Sequence, residues 1–74
     1  MLTNNEIRVG TEFVVLGFEN EDRPVVAKLR SMGLRKGKRV KVLMRNGRVY
    51  LLKLDNTRLV IDKELLSKVK KEVC

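Results

Sequence analysis

A chain of 74 residues, 43% of them hydrophobic, makes one domain close to the smallest size that a hydrophobic core sustains without disulfides or metal. It contains no His and a single Cys at the last position, which excludes an internal disulfide and a four-ligand zinc set and suits a reducing compartment. Seventeen Lys and Arg against nine Asp and Glu leave a formal charge of +8, a balance that favours polyanions or acidic protein partners without choosing between them.

Residues 1–9 read as a loosely held N-terminal arm whose anchors are Ile7 and Val9, with Gly10 opening the first element. The opening MLTNNEIRVG lacks the charged-then-apolar pattern of a signal peptide, and no apolar run approaches the roughly 20 residues that span a bilayer, so a soluble cytoplasmic protein is expected. Thr11–Phe18 is rich in β-branched and aromatic residues and predicts a strand buried on much of both faces, with Gly17 marking a bulge or bend. The acidic ENED loop follows. Asp22 or Arg23 is the expected cap of a helix whose first turn accepts Pro24, and Lys28 and Arg30 suit the negative end of its dipole.

Val25, Val26, Leu29 and Met32 recur on one helical face, and Gly33 then stands where a helix stops with a positive φ. Taking Gly33 as C′ makes Leu29 the C3 and Leu34 the C″ residue, which supplies the apolar contact of a Schellman stop. Gly37 offers a second turn, after which Val40, Val42 and Met44 alternate with Lys41 and Arg45 as a half-buried strand. Asn46-Gly47 signals a type I′ hairpin into RVYLLKL, and Asp55-Asn56 supplies a second tight turn into TRLVI. Asp62 caps a short helical segment, DKELLSK, with Glu64 near its positive end, and VKKEV alternates as a closing strand. The expected fold is mainly β with one main helix, a small barrel of about five strands. Its interior is filled from Phe13, Val15, Val40, Val42, Leu52, Leu54, Leu59 and Ile61.

The run LRSMGLRKGKRVKVL, the Asn-Gly hairpin and RLVIDKELLSKVKKEV together resemble the FeoA family, from about Ile7 to Val73. The family's L-x-x-L-G-L-x-x-G core is matched by Leu29, Met32, Gly33, Leu34 and Gly37, with Met32 where Leu is commoner and Lys36 where Pro often precedes the second glycine. The same pattern recurs in the C-terminal SH3-like domain of DtxR-type iron-dependent repressors. The resemblance implies a single SH3-like domain over residues 1–74. It also implies an accessory role in bacterial or archaeal ferrous iron uptake, docked on the cytoplasmic side of FeoB, the membrane transporter that carries a G-protein domain. The protein would then sit in the cytoplasm, peripheral to the inner face of the membrane. The alternative from charge is a small basic nucleic-acid-binding barrel or a repressor-related module.

No chemistry competes with a binding role. The carboxylates are scattered in loops and caps, no His serves as base, and no Ser or Cys is activated, so neither an enzyme nor a small-molecule substrate is expected. Glu19, Glu21 and Asp22 could share a hard cation, but capping and solvation account for them, and no metal or cofactor is expected. Phe13, Phe18 and Tyr50 are the only aromatics, too few for a base-stacking platform. Cys74 is expected to be a free, frayed thiol. The expected partner surface is the basic corner Arg35, Lys36, Lys38 and Arg39 with the helix positions Lys28 and Arg30. All six lie within twelve residues around two glycines, and no acidic counterpart is visible in the sequence. The competing reading is that these charges only solvate a turn.

Overall fold

The computed structural model describes residues 7–19 and 23–74. Its elements run β1 (Glu12–Phe18), α1 (Arg23–Ser31), β2 (Arg39–Asn46), β3 (Val49–Leu54), β4 (Thr57–Asp62), α2 (Lys63–Ser67) and β5 (Val69–Val73). All neighbouring strands are antiparallel, in the order β4-β3-β2-β1-β5, and α2 connects the two strands at the ends of that order. Mainly β, with one longer and one short helix, this is the small barrel expected from the turn signals.

The corner between α1 and β2 forms as its residues require. Gly33 has φ 95°, the Leu34 amide donates to the Leu29 carbonyl at 3.1 Å and the Gly33 amide to the Arg30 carbonyl at 3.0 Å, the two bonds of a Schellman stop. Leu29 and Leu34 are both fully buried, so the stop also closes the core at that end. Beyond it, the Gly37 amide donates to the Val15 carbonyl at 2.7 Å and the Val15 amide to the Lys38 carbonyl at 2.9 Å, tying the corner to β1. Of the two expected helix caps, Arg23 is the first residue of α1 itself, and Asp22 lies outside the described residues, as do Glu21 and positions 1–6 of the arm.

Phe13, Val15, Val40, Val42, Leu52, Leu54 and Ile61 are buried as expected, and Leu59 packs against them half-buried. Ile7, Phe18, Leu29, Leu34, Tyr50, Leu66 and Val69 complete the core. Ile7 therefore anchors the chain ahead of β1, whereas Val9 is 60% exposed and does not. At the other terminus the Cys74 thiol is free, but its amide donates to the Glu12 carbonyl at 2.9 Å, so the chain is held to its last residue instead of fraying.

Three local expectations are corrected. β1 is not buried on both faces: it alternates, with Glu12 and Leu16 exposed. The register against β5 shifts between Val15 and Gly17, which is the bulge that Gly17 signals. The first hairpin keeps Asn46 paired with Val49 and turns on Gly47 and Arg48, with positive φ at Gly47 and not at Arg48, the II′ arrangement instead of I′. Met44 does not face the core. The β2–β3 register shifts between Val42 and Met44, so Leu43 is the extra residue of a second bulge, and Met44 emerges on the outer face, 58% exposed.

Candidate partner-docking surface

The basic corner is rigid at its backbone. Arg35 donates its amide to the Gly33 carbonyl at 3.0 Å, and Lys38 donates to the Arg35 carbonyl at 2.9 Å. The six expected cations are nevertheless not equivalent. Lys38 Nζ meets Asp55 Oδ2 at 2.6 Å, and Arg39 Nε lies 3.5 Å from Glu12 Oε1. The acidic counterparts that sequence inspection does not reveal are therefore supplied by the β3–β4 turn and by β1. Arg35, Lys36 and Lys28 are exposed and make no ion pair among the described residues. Arg30 turns the other way, its guanidinium carbon 5.9 Å from the centroid of Phe18.

Arg30 thereby joins a feature that the basic pattern does not announce. Phe18, Val26 and Ala27 floor a groove of about 420 Å³ between the end of β1 and α1, and Arg23 and Arg30 stand at its sides. The signal was available, because positions 23, 26, 27 and 30 share one stripe of an α-helix. A smaller hollow at the end of α1, lined by Ser31, Met32, Gly33, Leu54 and Thr57, includes the Lys38–Asp55 pair in its wall. The surface around the end of α1 thus holds a rigid loop with two unpaired cations and an apolar groove between two arginines. Such a surface suits a protein segment carrying carboxylates and an apolar side chain.

The other expected sites are placed as follows. Phe13 and Tyr50 are sealed in the core, and Phe18, 9% exposed, reaches the surface only at the floor of the groove beside Arg30, so no row of exposed rings is available to stack bases. Among the described residues no group of three His, Cys, Asp or Glu could hold a metal ion, and no helix is long and apolar enough to cross a membrane. Glu21 and Asp22, two of the three carboxylates of the loop before α1, lie outside the described residues. Lys71, which shares the inward phase of Val69 in β5, is 5% exposed, and its Nζ donates to the Leu66 and Val69 carbonyls at 2.9 and 2.5 Å. Burial lowers its pKa from 10.5 to about 8, with the charge of Glu19 acting in the opposite direction.

Compared with known families, residues 5–73 match the model of the FeoA domain. The chain belongs to the FeoA family. Among solved structures, a FeoA-like protein from Clostridium acetobutylicum superposes with a TM-score of 0.85 at 22% identity, covering 97% of this chain and 85% of the other. An iron uptake regulatory protein, also a FeoA, gives 0.82 at 24% identity, over 99% and 96% of the two chains. Stenotrophomonas maltophilia FeoA, a prokaryotic SH3 domain protein complexed with zinc, gives 0.80 at 21% identity, over 97% and 91%. A search of curated proteins finds no match. These likenesses show the SH3-like fold. Within it the FeoA signature residues Leu29, Met32, Gly33, Leu34 and Gly37 are the helix stop and the corner, and their roles are structural: two buried leucines, a half-buried Met32 and two glycines with positive φ.

Proposed function

We propose that this chain is a non-enzymatic accessory protein of ferrous iron uptake, which binds the cytoplasmic part of the FeoB transporter through the corner and groove at the end of α1. Family membership supports the pathway. The observation that carries the docking site is that Arg35 and Lys36 are unpaired on a backbone tied to β1, so their charges are presented with little ordering entropy left to lose. Lys28 and Arg30 extend the positive field along the helix. Lys38 and Arg39 act mainly in holding the corner, since each already has a carboxylate. The protein would work in the cytoplasm, at the inner face of the membrane, by contact and not by carrying iron.

A nucleic-acid reading, as a basic barrel or as a module like those of metal-dependent repressors, is weaker on this structure. Barrels that bind single strands combine a basic groove with several exposed rings, and here Phe13 and Tyr50 are fully buried and Phe18 shows only an edge beside Arg30.

The test is the double reversal Arg35→Glu with Lys36→Glu, which leaves both corner ion pairs in place. Stopped-flow association with the FeoB cytoplasmic domain should slow by about tenfold at low salt and lose most of its salt dependence, because exposed charges act chiefly on encounter. Circular dichroism should be unchanged. Undiminished association and undiminished growth on ferrous iron would refute the assignment.

A further inference from the structure

The bulge at Leu43 has a consequence on the outer wall of the barrel. Across three adjacent strands, Met44 pairs with Leu51 and Leu51 with Val60, so these side chains form one row on the outward face. Met44 is 58% and Val60 62% exposed, and Leu51 between them is half-buried. Val49, two residues before Leu51 and 40% exposed, broadens the row. In an unbroken register Leu43 would stand opposite Leu51 on this face and Met44 would keep the inward phase of Val40 and Val42; the bulge puts the exposed Met44 there instead.

Beside the apolar row runs a second one. Lys41 pairs with Lys53 and Lys53 with Arg58, all exposed, and none of the three makes an ion pair among the described residues. Like charges directly opposite on neighbouring strands are mutually destabilising, and the one carboxylate in this row, Glu12 opposite Lys41, leaves Lys53 and Arg58 facing only cations across the strands.

We propose that this wall is a second docking surface, and that its occupant is an acidic amphipathic helix of a partner protein. The spacing fits. Three strands about 4.8 Å apart spread Met44, Leu51 and Val60 over about 10 Å, which matches the rise between positions i and i+7 of an α-helix. Apolar residues at i, i+3 or i+4, and i+7 would cover the apolar row, and carboxylates along one flank would meet Lys41, Lys53 and Arg58. A second copy of this chain is a poor occupant, since each copy carries +8 and would bring another basic ladder to the contact. A lipid surface is a poor one too, because the wall exposes no aromatic ring of the kind that anchors proteins at headgroup depth. This surface is independent of the partner met by the corner after α1.

The probe is a synthetic helical peptide of about 18 residues, long enough to fold in part, with Leu at i, i+3, i+4 and i+7 and Glu along one flank. A second peptide carries Lys in place of each Glu. Titrated into the isotope-labelled full chain, the acidic peptide should shift amide resonances in β2, β3 and β4. Its affinity should fall at least tenfold with Val60→Lys and with Lys53→Glu, both exposed positions, and stay unchanged with Arg35→Glu plus Lys36→Glu. The Lys peptide should not bind. The proposal is overturned if the shifts fall on the α1 groove or the basic corner, if Val60→Lys has no effect, or if neither peptide binds. It is equally overturned if vesicles of phosphatidylglycerol and phosphatidylcholine bind with the same dependence on Val60 and Lys53, or if sedimentation shows Val60-dependent self-association.

Discussion

Replacing Lys71 by Met should change how stability depends on pH more than it changes the fold. Lys71 lies opposite Val15 in the β5–β1 ladder, so its side chain enters the end of the barrel, where its ammonium meets the Leu66 carbonyl of α2 and the Val69 carbonyl at the start of β5. Its pKa of about 8 in the fold, against 10.5 as the ordinary value, means that the folded state disfavours the charged form. Below about pH 8 both states carry the proton and the folded state bears the full desolvation penalty. Between about 8 and 10.5 the unfolded chain holds the proton and the native one does not, so stability rises with pH across that window. At about 1.4 kcal/mol per pH unit the full drop corresponds to about 3 kcal/mol, and to about 1–2 kcal/mol once residual solvent screening is allowed for. Urea unfolding of the wild type and of Lys71→Met, followed by circular dichroism at pH 7, 9 and 10, isolates this term, because every other lysine titrates in both. The variant loses two hydrogen bonds at every pH, so only the change in the gap is diagnostic. The wild type should gain about 1–2 kcal/mol on the variant between pH 7 and 10. Parallel profiles, or a gap that moves the other way, would show that the ammonium is as well solvated in the fold as out of it.

Three further outcomes are expected. Gly33→Val forces a β-branched residue to φ 95° with its Cβ 3.4 Å from Leu54 Cδ2. It should cost about 2 kcal/mol and lower the melting temperature by roughly 8–16 °C; Gly37→Ala, at φ 88° with open space around the added carbon, should cost less. Asp62→Ala removes the carboxylate that accepts from the Glu64 amide at 2.7 Å and should destabilise by about 1 kcal/mol in urea unfolding, with local loss of amide protection in α2. Anaerobic calorimetry of the isolated chain with ferrous iron should show no stoichiometric micromolar binding, and such binding persisting after Cys74→Ser would contradict the contact role proposed above.

Much of this architecture was legible in the sequence because its signals are short-range. The stop at Gly33 with its Leu29–Leu34 contact, the hairpin around Gly47, the left-handed turn at Asp55 and the Asp62 cap each depend on a few neighbouring residues whose dihedral or hydrogen-bonding preferences decide the outcome. The FeoA pattern is a string of such signals, which is why it identifies the fold and says little about a site. Tertiary structure decided the rest. A bulge is settled by the register of the strand opposite, so strict alternation placed Met44 inside when Leu43 turns it out beside Leu51 and Val60. Lys38 finds Asp55 only because β1 and the β3–β4 turn converge on the corner, and Lys71 is buried only because β5 closes on β1 at the end of α2. Neither pairing leaves a local trace, since Asp55 is 17 residues from Lys38, and the phase that Lys71 shares with Val69 does not say that two carbonyls meet its ammonium there. The elements and their order were therefore set by local preference, whereas the partition of the basic residues into paired, buried and available charges was set by long-range closure of the sheet.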